Sequence, residues 1–201
     1  MQRSILGAIA VLALAAAPLS AQDIAGTRAF RLGVRAGASV PVGNLAESGE
    51  EGGNASTGFN VGGSLAFAPA ALPFGVRVEL GYDRFGVDLD SFGAGDSGID
   101  ANWNMLSGTI NATLPMGAGV GPRPYLIGGV GMYRYELKIS GDDGTGGDVS
   151  FSFDDTDVGV NGGLGLRFGL GGIGSYVEAR FHHVFAEESL QFVPISFGIE
   201  F

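Results

Sequence analysis

"FVPISFGIEF", residues 192–201, closes the sequence on a bare aromatic, and the reading of this stretch decides the fold. Terminal residues of a water-soluble domain usually fray and contribute little. Phe201 instead completes a two-residue alternation. Gln191, Val193, Ile195, Phe197, Ile199 and Phe201 share one face of an extended segment, and Phe192, Pro194, Ser196, Gly198 and Glu200 share the other. Period two means a strand, with one face that needs an apolar partner.

The pattern recurs upstream. Phe30, Leu32, Val34, Ala36, Ala38 and Val40 alternate with Arg31, Gly33, Arg35, Gly37 and Ser39. Further segments start near Phe59, Phe74, Leu106, Val158 and Val177, with Arg77, Glu79, Asp83, Arg167, Glu178, Arg180 and Glu200 on their polar faces. The fifth segment, "PYLIGGVGMYRYELK", is apolar on both sides in its middle. Placing Arg134 and Glu136 on its polar face sends Tyr125, Ile127, Tyr133 and Tyr135 to the apolar one. Tyr125 and Tyr135 are ten residues apart, roughly 23 Å along the normal of a strand tilted by ~45°, close to the separation of two membrane aromatic girdles.

Eight segments of about nine to thirteen residues result, an even number. The connections after the second, fourth and sixth are short and nearly uncharged. Those after the first, third, fifth and seventh hold fifteen Asp and Glu and no Lys or Arg. Short turns at one end and long loops at the other are the asymmetry of an outer-membrane barrel. A soluble barrel would turn its apolar face inward. It would then have to pack Phe30, Phe59, Phe67, Phe74, Phe168, Phe181, Phe197 and Phe201 into an eight-strand interior, which has room for little more than one layer of side chains. The glycines lie on the charged face, where crowding is expected. Lipid therefore faces the aromatics, and the interior carries Arg31, Arg35, Arg77, Glu79, Asp83, Arg134, Glu136, Arg167, Glu178, Arg180 and Glu200 as a plug of charge pairs, Arg77 with Glu79 among them.

The first residues, "MQRSILGAIAVLALAAAPLSAQ", fit a signal peptide over 1–21: Arg3, an apolar run too short to span a membrane, then Leu19-Ser20-Ala21 before the cut. Residues 22–201 then form one barrel domain in the outer membrane, termini in the periplasm and acidic loops outside. The absence of cysteine excludes disulfides and thiolate chemistry. No cofactor motif occurs, and the acidic balance excludes a nucleic-acid partner. "SGDDGTGGD" and "FDDTD" lack the calcium-loop spacing and read as solvated loops.

Signal peptide, eight alternating strands and an aromatic end resemble the small outer-membrane β-barrel family of OmpA/OmpX-like and opacity-type proteins. "GGVGMYRY" after Pro124 and Tyr125 is similar to that family's fifth strand. The resemblance implies that Phe197, Ile199 and Phe201 are an assembly signal for the barrel-assembly machinery. It also implies a monomer in contact with lipid and lipopolysaccharide. The sequence departs from the family's pattern in stopping at the barrel, so no periplasmic peptidoglycan-binding domain is expected after it. The expected role is structural, or surface interaction through a ligand the sequence does not name. Lipid A deacylases of similar size offer an enzymatic alternative, with His183, Glu187 or Glu188, and Ser189 as an echo of their site. In those enzymes the serine follows two residues after the histidine, where Phe185 stands here. A narrow channel is a third reading.

Overall fold

A sheet whose one face is apolar along every strand must either cover that face or turn it toward lipid. Closing the sheet on itself also removes its unpaired edges. A computed structural model describes residues 30–48, 52–69, 72–88, 99–117, 121–142, 148–170 and 173–201. The strands are β1 (Phe30–Val42), β2 (Ala55–Phe67), β3 (Gly75–Val87), β4 (Ile99–Pro115), β5 (Arg123–Asp142), β6 (Asp148–Leu170), β7 (Ile173–Val184) and β8 (Leu190–Glu200). They form one closed antiparallel barrel in chain order. β1 and β8 close it, in register from Gly33↔Glu200 to Val42↔Gln191. The Phe201 N–H donates to Leu32 O at 2.8 Å, so the last residue extends the ladder instead of fraying. The expected signal peptide lies outside the described residues.

Face assignment follows the alternation in seven strands. Leu32, Leu80, Ile110, Leu164, Val177 and Ile195 point outward, with Leu80 68% exposed, while Arg35, Arg77, Glu79, Glu178, Arg180 and Glu200 are buried within. β5 corrects the expectation. Tyr125, Ile127 and Tyr133 are buried in the interior, and Leu126, Val130 and Met132 face outward. Arg134 is therefore not an interior charge; its side chain is 63% exposed and pairs with Asp154 at 2.8 Å. Glu136 shares that outward face, half-buried, opposite Asp154. These charges lie where the sheet leaves the apolar band, so water solvates them. Tyr125 and Tyr135 are no girdle. Phe67 touches Phe30, with ring centroids 5.8 Å apart, and Phe59 touches Tyr82, at 6.2 Å. Phe59 and Phe67 are eight residues apart on β2, roughly 19 Å along the normal, inside an apolar band ~25 Å tall.

Strand lengths also differ from expectation. β4, β5 and β6 run to 17, 20 and 23 residues. β5 and β6 pair without a break from Arg123↔Arg167 to Asp142↔Asp148, so most of the acidic stretch 140–157 is strand. Alternating Phe151 and Phe153 keep it extended, and its carboxylates are tolerated because this part stands clear of the barrel. β7 pairs with β6 only from Gly159 onward. A three-stranded sheet thus rises above the rim.

The interior tyrosines explain part of the glycine content. Tyr125 stands opposite Gly165, and Tyr176 opposite Gly198. A Cβ at either glycine would run into the facing ring. Only a bare backbone lets a phenol lie flat in so narrow a lumen. Gly198→Val should accordingly lower the unfolding free energy by about 1–3 kcal/mol, the usual cost of forcing volume into a packed interior. Urea titration of the refolded barrel measures it; an unchanged midpoint would mean that the Tyr176 ring has room to move.

Candidate functional site

The interior is layered. Its centre is a cluster of three arginines and two glutamates from β1, β3 and β7. Glu79 accepts a forked pair of bonds from Arg180, at 2.6 and 3.1 Å, and a third from Asn111 Nδ2 at 2.7 Å. Glu178 accepts from Arg77 Nη2 and the Tyr125 hydroxyl, both at 2.5 Å, and lies 2.8 Å from Arg180 Nε. Arg35 reaches Glu79 only at 3.8 Å and donates instead to Asn60 Oδ1 at 2.8 Å and Ser196 Oγ at 3.1 Å. β3 and β7 stand on opposite walls, so these bonds cross the barrel. Buried charges are tolerated only when paired and hydrogen-bonded, and each carboxylate here has at least three donors around it.

Toward the long-loop end, Ser39 donates to Asp83 and Asn60 Nδ2 donates to Ala38 O at 3.0 Å. Above these, the lumen turns apolar. Phe85, Met105, Tyr133, Val184, Leu190 and Phe192 pack together, with Leu45 laid on them by a single 3-10 turn, Gly43–Leu45. His182 stacks on Phe192 at 4.7 Å, and its Nδ1 lies 3.0 Å from the Tyr133 hydroxyl. Toward the short-turn end, Arg31 and Arg167 pair with Glu200 at 3.3 and 3.1 Å.

Of the expected interior charges, Arg35, Arg77, Glu79, Asp83, Glu178 and Arg180 converge in the middle. Arg31, Arg167 and Glu200 form a separate group at the short-turn mouth. Arg77 lies nearer Glu178 than Glu79, which stands 3.5 Å away. Tyr125 joins the cluster from the face opposite to the one expected, and Asn60, Asn111 and Ser196 carry no charge to mark them as partners. Phe197, Ile199 and Phe201 lie on β8's outward-facing register or directly after it. His183 is on the outer face, where its ring packs against Phe181 and Phe185 at 6.5 and 4.9 Å. No hydrogen bond joins it to Glu187, Glu188 or Ser189 among the described residues. No group of three potential metal ligands occurs among the described residues either.

A closed eight-stranded barrel with an apolar exterior and a filled, charged lumen is the architecture of a small transmembrane barrel. The sequence model of the family described as "Outer membrane protein beta-barrel domain" matches residues 8–192. The chain belongs to that family, and its place is the bacterial outer membrane. No curated protein matches the sequence. Among solved structures, it is similar to Neisserial surface protein A (TM-score 0.57, 14% identity, 87% of this chain and 97% of that one). It is also similar to a major outer membrane protein of Thermus thermophilus (0.61, 11%, 86% and 99%) and to Ail, the attachment invasion locus protein of Yersinia pestis (0.51, 17%, 85% and 98%). At these identities the likeness is one of fold.

Glu79→Ala should destabilise the barrel by about 3–5 kcal/mol, because it strands Arg180 in the lumen. A double-mutant cycle with Arg180→Ala in urea should return a coupling of about 1–3 kcal/mol, larger than the cycle with Arg77→Ala. Equal coupling to both arginines would contradict the geometry.

Proposed function

We propose that this barrel is a non-enzymatic envelope protein whose outward end is an interaction surface. The observation that carries the reading is the sheet of β4, β5 and β6 that rises above the rim. Among the described residues, 148–157 of β6 have no partner on the side away from β5, so one edge is open. Phe151 and Phe153 on the lumen side of that sheet are 62% and 69% exposed. Trp103, Tyr135, Leu137 and Ile139 share their face by register. Natural proteins normally blunt an exposed edge, and an open one is a template for adding a partner's strand. Asp154, Asp155 and Asp157 line the edge, so a strand carrying Lys or Arg fits best. The name of Ail refers to attachment and invasion, and a comparable surface role here agrees with the open edge.

The reading takes the acidic end as extracellular and the termini as periplasmic, because the long loops of such barrels face outward. An epitope tag at Gly95 should be labelled on intact cells, and one at Gly119 should not; the reverse result would overturn the orientation. Cells displaying the barrel should adhere to immobilised basic proteins, and Ser152→Pro, which spoils the edge for pairing, should abolish that. Equal adhesion by the variant would sink the strand-addition reading. Mass spectrometry of lipid A from the same cells should show no lost acyl chain, and planar bilayers no large conductance.

Lipid, lipopolysaccharide and the barrel-assembly machinery are the proposed partners in the membrane. With Phe197 and Ile199, Phe201 is the proposed assembly signal. Phe201→Ala should reduce heat-modifiable barrel in outer-membrane fractions more than it shifts urea stability, where one interfacial side chain contributes ~1.5–3 kcal/mol at most. Normal steady-state levels would leave Phe201 as an aromatic girdle residue alone.

A further inference from the structure

We propose that the short-turn mouth of the barrel binds a phosphate group carrying two negative charges. Three guanidinium groups, from Arg31, Arg123 and Arg167, line a cavity of about 250 Å³ there. That is many times the ~10–15 Å³ of such space that one water molecule needs. Among the described residues, one carboxylate, Glu200, faces this group and pairs with two of the three. Both oxygens of Glu200 are engaged, Oε2 by Arg31 Nε and Oε1 by Arg167 Nη2. Arg123 has no hydrogen bond or ion pair among the described residues. The Nε–H of Arg167 is buried with no acceptor.

The charge excess is local. Deeper in the lumen, Arg35, Arg77 and Arg180 face Glu79 and Glu178, with Asp83 one layer above. At the mouth, three guanidinium side chains face one side-chain carboxylate among the described residues, leaving two positive charges in excess. The register places Arg123 directly opposite Arg167, and like charges in that position destabilise a sheet. The connections at this end, residues 68–74, 116–122 and 171–172, contain no Asp or Glu to offset them. Arg167 is nonetheless held in place, its guanidinium 5.2 Å from the centre of the Tyr125 ring. A cationic group fixed in position beside a like charge, with an open cavity between, is arranged for an anion from solution.

The chemistry selects phosphate. Guanidinium forks match phosphate oxygens two at a time, and a tetrahedral anion takes such forks from several directions at once. A phosphate monoester carries about −1.5 to −2 near pH 7, which equals the excess at the mouth; a phosphodiester or a carboxylate carries −1. The Thr113 hydroxyl, on the cavity wall, supplies one further donor. The phosphate is either free in the aqueous compartment or the headgroup of a monoester lipid such as phosphatidic acid.

Calorimetric titration of the refolded barrel in a sugar-headed detergent, with inorganic phosphate at pH 8 and constant ionic strength, tests the site directly. This measurement does not depend on membrane orientation or on the β6 edge, so its failure is separate from theirs. Saturable binding is expected. Arg123→Gln, which breaks no side-chain hydrogen bond or ion pair among the described residues, should weaken it by at least about tenfold, the loss of one charge-assisted bond. Arg134→Gln, at the opposite end, should leave it unchanged. Nanodiscs doped with phosphatidic acid or phosphatidylglycerol then separate the sources. Retention of phosphatidic acid alone, dependent on Arg123, assigns the site to a lipid, and retention of neither with phosphate still bound assigns it to the free ion. No phosphate binding, or binding equal in wild type and Arg123→Gln, overturns the proposal.

Discussion

Pairing of β1 with β8 closes the sheet, and that closure is the constraint on which the rest of the molecule depends. It leaves the barrel wall without an open edge, whose backbone groups lipid could not hydrogen-bond, and an interior about one side chain deep. A lumen that narrow cannot be filled by side chains chosen independently. Where Tyr125 and Tyr176 enter, the neighbouring strands offer Gly165 and Gly198. Where Glu79 enters, Arg180 reaches across from the opposite wall, 101 residues away in the chain. The charges persist because each has several partners, so deletion of one exposes its partners to an environment that cannot solvate them.

The same constraint separates the ends. The middle of the lumen is polar and mutually satisfied. The long-loop end is packed by Phe85, Met105, Phe192 and the Leu45 turn, whereas the smaller cluster of Tyr125, Ile127 and Tyr176 toward the other end leaves a cavity lined by arginines. The short-turn mouth keeps its arginines in excess. Two closures of different chemistry follow, one greasy and shut, the other cationic and open. The projecting sheet belongs to the shut end, so surface contacts there do not require the lumen to change.

Most of the fold was legible because one face of each strand is continuously apolar. The alternation around Val193, Ile195 and Phe197 admits no other parity, and the same holds for β1, β3 and β7. β5 was not legible by that rule. Its centre, Leu126 to Met132, is apolar or glycine on both faces, which leaves Arg134 and Glu136 to set a parity. A charge marks the interior only within the lipid band; Arg134 lies at its edge, where the outer face meets water. The run from Phe151 to Asp157 failed for a related reason. Its acids suggest a loop, although Phe151 and Phe153 already carry the period of a strand. The charged residues of the central cluster were visible as a set, but their pairing was not. Which arginine meets which glutamate depends on the stagger around the barrel, which the alternation within single strands does not contain.

The central claim is that, across the membrane-spanning part of the barrel, each of the eight strands turns its continuously apolar face to lipid and its other face to the lumen. β5 tests it most severely. The chain has no cysteine, so single cysteines at positions 125–133 can each carry a nitroxide spin label without further engineering. Collision with dissolved oxygen, which concentrates in the bilayer, should peak at 126, 130 and 132 and fall at 125, 127 and 133. The opposite alternation would place the tyrosines in the membrane and contradict the account.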